Sequence, residues 1–269
     1  MSTDAVTPSR RARDRQAQRK PGCMLRSTPW STKKLPQLRN CTCAEGLRLA
    51  SFVAAMRSKP FAIAVAGGSG SGKTTLTRTL VAQLGDDRCC VIDHDSYYKD
   101  LSHKVLSDRA KTNFDHPESL DNALIAKHIR LLMAGHRIER PQYDFATHSR
   151  MSATVTVEPR PVIVCEGILL LAVPELRRSF DARLYIETPA DIRALRRVQR
   201  DIAERGRTAE SVIAQYFSTV RPMHEQFVEP ARSTADTILD WRLSPTQQAQ
   251  LVMQKFNAQL EGKPLAASS

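Results

Sequence analysis

The chain has 269 residues, enough for one large domain or two small ones around a sizeable core. Its net charge of +12 is lopsided, because residues 1–59 carry thirteen Lys/Arg against Asp4, Asp14 and Glu45 and the remainder is close to neutral at +2. This excludes a polybasic nucleic-acid-binding domain beyond that point, and the lack of any apolar run of about eighteen residues excludes a membrane-spanning helix.

Taken in chain order, residues 1–58 are rich in Arg, Ser, Thr and Pro and lack apolar periodicity, so they read as a basic, disordered extension. Three roles fit that composition. It resembles an organellar transit peptide, it suits a tether to nucleic acid or an anionic surface, or it is an upstream extension with no role, since Met56 lies just before the first strand and could itself begin a complete domain. Residues 61–66 form an uninterrupted apolar run of strand length, as expected for a strand buried on both faces. Directly after it, Gly67, Gly68, Ser69, Gly70, Ser71, Gly72, Lys73 and Thr74 complete the pattern G-x-x-x-x-G-K-[ST], with Thr75 following. Glycines allow backbone N–H groups to turn inward around phosphates, the lysine reaches the β/γ oxygens, and the threonine hydroxyl can ligate Mg²⁺. Leu76, Leu80, Val81 and Leu84 then recur at helical spacing up to Gly85, so strand, loop and helix aim a helix N-terminus at phosphate.

Further apolar runs at 89–93, 162–166, 184–187 and 237–239 alternate with helical segments. That alternation predicts an α/β fold: a doubly wound, mostly parallel five-stranded sheet with helices on both faces. A helix is predicted over 119–133 with Ser119 as its N-cap and Gly135 just past its end. Between 137 and 159 the pattern switches to period 2, with Pro141 interrupting one run, and reads as a small antiparallel hairpin insertion. Helical patterns over 190–205 and 211–228 flank Gly206, and one domain built on the phosphate-binding loop would span 59–262, leaving 263–269 as a tail. Of six cysteines, Cys41 and Cys43 sit in the extension, while Cys89, Cys90 and Cys165 fall in strand-like runs and are simplest as buried thiols in a reducing compartment.

In a doubly wound sheet, ligands collect beyond the carboxyl ends of the strands. Two strands end there in acids: 89–92 runs into Asp93-His94-Asp95, and 162–165 into Glu166-Gly167. Phosphoryl transfer needs Mg²⁺, positive charge on the phosphates and a carboxylate to orient and deprotonate the attacking hydroxyl. Asp95 and Glu166 suit the base and metal-side roles. Arg193, Arg197 and Arg200 share a helical face, and Arg205 and Arg207 follow around Gly206, so a mobile segment of 190–210 could close arginine forks over a transferring phosphate.

Six blocks stand in order along the chain: Gly-Gly-Ser-Gly-Ser-Gly-Lys-Thr-Thr (67–75), Asp-His-Asp-Ser-Tyr-Tyr (93–98), Asn-Phe-Asp-His-Pro (113–117), Tyr-Asp-Phe-Ala-Thr-His-Ser-Arg (143–150), Glu-Gly-Ile-Leu (166–169) and Arg-Asp-Ile-Ala-Glu-Arg-Gly-Arg (200–207). Together they resemble the uridine kinase (uridine–cytidine kinase) family of P-loop nucleoside kinases. The resemblance implies ATP- or GTP-dependent phosphorylation of the 5′-hydroxyl of uridine, and usually cytidine, in pyrimidine salvage. It implies Asp95 as base and Thr74 and Glu166 on the Mg²⁺ side. Asp115 and Arg197 would hold the ribose hydroxyls, Tyr143 and His148 would read the pyrimidine edge with Arg207 and Gln215 nearby, and Arg200 and Arg205 would belong to a helical lid over the phosphates. Asp236 aligns with a family position near the adenine nucleotide. The pattern departs after the fifth strand, where Asp240-Trp241-Arg242-Leu243 replaces a Pro-Arg-Gly-Gly-like stretch.

His94 reads as a local turn residue, and His116, before Pro117, as fixing the loop that holds Asp115. A homotetramer, a cytoplasmic location or an organellar one through the extension, and no need for nucleic acid or membrane complete the expectation. The alternatives are a related kinase for another small alcohol, of phosphoribulokinase or pantothenate kinase type, an NTPase switch that hydrolyses triphosphate without an acceptor, and a nucleic-acid-binding module working through the extension.

Overall fold

In the computed structural model, which describes residues 59–109 and 111–261, the apolar runs pair into one parallel sheet. Its strands are β1 (Phe61–Ala66), β2 (Cys89–Asp93), β5 (Val162–Glu166), β6 (Ala182–Glu187) and β7 (Thr237–Asp240), in the order β2-β5-β1-β6-β7. β1 is fully buried because both of its faces are covered. Ala62, Ala64 and Ala66 join Ile125, Ile129 and Leu132 of helix α2 (Asn122–Met133) on one side. Phe61, Ile63 and Val65 meet Leu76 and Leu80 of α1 (Lys73–Leu84) and Ala249 and Val252 of α5 (Pro245–Lys255) on the other. A strand buried twice has no polar face to show, hence the unbroken apolar run.

Strand order positions the chemistry. β5 inserts between β1 and β2, with Asp93 opposite Glu166 and Val65 opposite the same Glu166. The loop after β1 and both acid-bearing strand ends therefore share one crevice.

Antiparallel strands β3 (Ile138–Asp144) and β4 (Ser149–Val157) form the expected hairpin, pairing Ile138 with Val157 and Tyr143 with Arg150. The register shifts between Pro141 and Tyr143, where proline cannot donate to the ladder. Arg150 anchors the hairpin to the domain by donating to the carbonyl oxygens of Tyr98 (2.9 Å) and Tyr97 (3.2 Å). α3 (Ala190–Arg205) ends at Gly206 (φ 63°), and α4 (Ala209–Gln215) continues helically, through π-helical turns at Tyr216–Val220 and His224–Val228, to Ala231.

The helix expected from Ser119 begins three residues later. Asp121 is its N-cap, accepting from the Leu124 amide at 3.1 Å, while Ser119 closes a separate 3₁₀ turn (Pro117–Ser119) and donates to the His116 carbonyl at 2.7 Å. Leu120, bridged to Tyr98 in extended conformation, separates the two. β6 begins at Ala182, two residues earlier than read, because Arg183 interrupts the apolar signal. Cys89, Cys90 and Cys165 are buried free thiols. No helix among the described residues is long and apolar enough to cross a membrane. The readings made for 1–58, including Cys41, Cys43 and Met56, and for the tail at 263–269 lie outside the described residues.

Candidate active site

The loop from Gly67 to Gly72 leads directly into α1, so that Lys73 and Thr74 are its first residues. Gly70 shows why glycine is required: its φ is +81°, and a Cβ there would collide with the carbonyl of Arg193 on α3. Lys73 folds back to donate to the Gly68 carbonyl (2.9 Å), its ammonium pKa lowered to about 8, chiefly by burial and against the pull of Asp95 and Glu166. Thr74 donates from Oγ1 to Glu166 Oε2 at 2.7 Å. Burial raises the Glu166 carboxyl, opposed by Thr74 and Lys73. Thr75, exposed at the first turn of α1, faces solvent beside the loop.

Past β2, Asp93 accepts a hydrogen bond from the Asp95 amide (3.0 Å) and caps a 3₁₀ turn (His94–Tyr97), which points Asp95 toward Lys73 and Glu166. Burial and the neighbouring Asp95 charge raise the Asp93 carboxyl. His94 is wholly buried, holds Asn122 Oδ1 at 3.3 Å and is pushed down to about pKa 4 by that burial. It is therefore a neutral structural residue wedged against Gly167, where any Cβ would strike the His94 side chain. His116 accepts from the Glu118 amide (3.2 Å) and so shapes the loop after Asp115.

A second group gathers between the hairpin tip and α3–α4. Asp115 is buried, its carboxyl raised by desolvation and pulled back by Arg197. Phe114 stacks on His148 with centroids 4.9 Å apart and 18° between planes, and Tyr143 lies 5.2 Å from Tyr98. The Tyr143 hydroxyl is buried without a hydrogen-bond partner among the described residues. His148 adopts φ +49°, a left-handed conformation uncommon for a non-glycine residue and often held at functional sites. Arg197 donates to Ser69 Oγ (2.9 Å) and to Gln215 Oε1 (3.0 Å), and Arg207 reaches the same Gln215 oxygen (2.5 Å). Arg200 binds Asp201, and Arg205 lies 5.1 Å over the Phe145 ring of the hairpin tip. Donor loop, acids, hairpin and arginines thus converge.

Asp236 does not join them. It precedes β7 at the amino end of the sheet, opposite the phosphate loop, and is held by the Arg183 guanidinium (2.6 and 3.0 Å) and the Arg183 amide (2.8 Å). The expectation that it lies near the nucleotide is corrected accordingly: its carboxylate is a structural clamp on β6. What stands at the carboxyl end of β7 is Asp240-Trp241-Arg242. Trp241 packs under Arg196 at 5.7 Å and helps line a cavity of about 800 Å³ with Thr188, Arg193, Tyr216 and His224.

Two residues in the site were given no role by the sequence reading: Phe114 and Asp201. Asp201 carried a usable signal, since it stands four residues from both Arg197 and Arg205 on one helical face.

The family model described as Phosphoribulokinase / Uridine kinase family matches residues 62–248. Uridine kinase of Chloroflexus aurantiacus is 48% identical over 209 residues, covering 78% of this chain and 100% of the relative. That of Chloroflexus aggregans is 53% identical over 183 residues, 68% and 88% of the two chains, and that of Clostridium perfringens 48% over 181, 67% and 87%. Among solved structures, a putative fructose transport system kinase from a Silicibacter species superposes with TM-score 0.54 at 22% identity, covering 74% of this chain and 99% of that one. D-glycerate 3-kinase from Cryptococcus neoformans gives 0.51 at 16%, covering 76% and 98%. These two share the fold.

Proposed function

The chain belongs to the phosphoribulokinase/uridine kinase family and is a kinase, and within that family we propose that it transfers the γ-phosphate of ATP or GTP to the 5′-hydroxyl of uridine and cytidine, giving UMP and CMP in pyrimidine salvage. The observation that carries the choice of acceptor is the buried Tyr143 hydroxyl, unpartnered among the described residues, on a ring that packs against Phe114, which in turn stacks on His148. A buried polar atom left unsatisfied costs stability, and a pyrimidine edge offers the partner it lacks.

Each residue then has a task. The backbone of 67–72 and Lys73 grip the donor phosphates. Thr74 and Glu166, hard oxygen donors already in contact, would hold Mg²⁺, which supplies charge neutralisation at the β/γ oxygens. Asp115 accepts from the ribose diol and Arg197 donates to it. Asp95 takes the 5′-hydroxyl proton as the oxygen attacks in line, while Arg200 and Arg205 close over the phosphates. Catalysis of this kind is positioning and electrostatic stabilisation more than covalent chemistry. A homotetramer in the cytoplasm, with residues 1–58 dispensable for turnover, belongs to the same reading.

The test is to incubate the full chain with Mg²⁺, ATP or GTP, and separately uridine, cytidine, purine nucleosides, ribulose 5-phosphate and pantothenate, and to identify the phosphorylated product. Uridine and cytidine monophosphates are expected. Product from ribulose phosphate or pantothenate alone, or hydrolysis that ignores every acceptor, overturns the proposal.

A further inference from the structure

We propose that Asp201 is a positioning residue that ties the acceptor half of the site to the donor half, so that the four arginines around it move as one body. The inference rests on the nucleoside kinase reading and goes beyond it. Asp201 exposes none of its surface, and four guanidinium groups converge on its carboxylate. Arg200 donates to Oδ1 at 3.0 and 2.7 Å, Arg205 stands 3.7 Å from the same oxygen, and Arg197 and Arg207 stand 3.7 and 3.6 Å from Oδ2.

The backbone builds this convergence. Arg197, Asp201 and Arg205 are successive i, i+4 neighbours on α3. Gly206, at φ +63°, reverses the chain so that the Arg207 amide donates to the Asp201 carbonyl at 3.1 Å, which brings Arg207 back beside its predecessors. A residue with a Cβ pays a steric penalty in that turn.

The four arginines reach both halves of the site. Arg197 and Arg207 share Gln215 Oε1 and border Asp115 and His148, and Arg205 rests on the hairpin ring of Phe145. Arg200 acts electrostatically on Lys73 of the phosphate loop, where Arg197 also donates to Ser69. Asp201 is the one carboxylate that all four share among the described residues. Oδ2 accepts no hydrogen bond from the described residues, while Arg197 and Arg207, within its field, donate from their Nη groups to Ser69 and Gln215. One carboxylate against four guanidiniums leaves an excess of positive charge at the mouth of the phosphate loop, which suits a triphosphate. Burying a carboxylate gains little stability over an apolar residue of similar volume, so fold stability alone gives no reason for an acid here.

The test uses full-length Asp201→Asn and the wild type. Uridine turnover by the wild type is measured first, because its failure would remove the nucleoside reading and this inference with it, whereas its success leaves the variant to report on Asp201 alone. For Asp201→Asn the expected result is a fall in kcat of about 100-fold, the scale of a small misplacement in the site, with affinity for a non-hydrolysable ATP analogue alone within about 3-fold of wild type. In the wild type, uridine should tighten that analogue by about 5-fold or more, and in the variant this coupling should vanish. A merely structural role would lower the melting temperature without abolishing the coupling. Retention of both turnover and coupling overturns the proposal. Should Asp201→Asn fail to fold, Arg200→Ala and Arg207→Ala are compared singly and together. Their effects on kcat should be non-additive by about 5-fold or more although they sit in different halves, and simple additivity overturns the proposal.

Discussion

Arg197 hydrogen-bonds Ser69 from Nη1 while its Nη2 hydrogen-bonds Gln215, so one planar fork joins the phosphate loop to the helix that follows the expected lid. Lysine cannot span both contacts, since its three N–H donors sit on one nitrogen at the end of a flexible stem instead of on the two arms of a planar fork. Arg197→Lys should therefore keep the charge and still lose function, raising the uridine KM and lowering kcat by about 10-fold each, the worth of one charge-assisted hydrogen bond. Steady-state kinetics at saturating ATP check this, and wild-type behaviour would show that charge alone suffices.

Asp93 caps the Asp95 amide, which fixes the backbone that carries the Asp95 carboxylate. Asp95→Asn preserves shape and removes basicity. Turnover should fall by about 10³-fold, within the usual range for a general base, while equilibrium dialysis still detects uridine binding. Near-normal turnover would remove Asp95 from the base role.

Tyr143→Phe deletes a hydroxyl that has no hydrogen-bond partner among the described residues. The free protein should be as stable as wild type or slightly more so, because an unsatisfied buried group disappears. The uridine KM should rise by about 10-fold through loss of one hydrogen bond to the base. Thermal denaturation without ligand and the KM are the two readouts, and a large loss of stability with unchanged KM would make the hydroxyl a structural group.

The sequence made the sheet and the loop legible because both are local. An unbroken apolar run means a doubly buried strand, and G-x-x-x-x-G-K-T fixes its own backbone. What it hid was tertiary. Ser119 looked like a cap because it precedes an apolar helical face, yet Pro117 starts a separate turn and Asp121 takes the capping role. Asp236 looked close to the nucleotide by alignment, although as the residue before β7 it belongs to the amino end of the sheet, where Arg183 meets it. Phe114 carried no signal of its stack on His148, 34 positions away, since only the hairpin's fold brings them together.

Gly167 follows Glu166 and donates its amide to the Val65 carbonyl at 3.1 Å, pressed against buried His94. A Cβ at this position has nowhere to go, because His94 is enclosed and its ring is tied to Asn122. Gly167→Ala should destabilise the fold by about 1–3 kcal/mol, the usual cost of overpacking. Because the two strand ends carry Glu166 and Asp95, kcat should drop as well. Chemical denaturation gives the first quantity, and a variant as stable as wild type would mean that His94 can shift.

Lys73 loses its ammonium proton at about pH 8 in the free protein, because burial outweighs the attraction of Asp95 and Glu166. In the proposed role of gripping the β/γ oxygens as a cation, it must be protonated to bind the donor. Above pH 8, kcat/KM for ATP should therefore fall by about tenfold per unit, since this parameter reports the free enzyme. In the donor complex the phosphates add negative charge and raise the lysine pKa, so kcat should hold to higher pH. Stability runs the other way. The folded pKa lies below the unfolded value of 10.5, so between about pH 8 and 10.5 the unfolded chain binds more protons, and the contribution of Lys73 to stability rises with pH across that window. Below pH 8 both states are protonated and the cost of the buried cation is carried in full. Parallel pH profiles of kcat/KM, kcat and ligand-free melting temperature, each compared with Lys73→Met to remove other groups from the comparison, separate these effects. A wild-type kcat/KM profile that is flat to about pH 10, near the ordinary lysine pKa, would show that the lysine is not desolvated in solution.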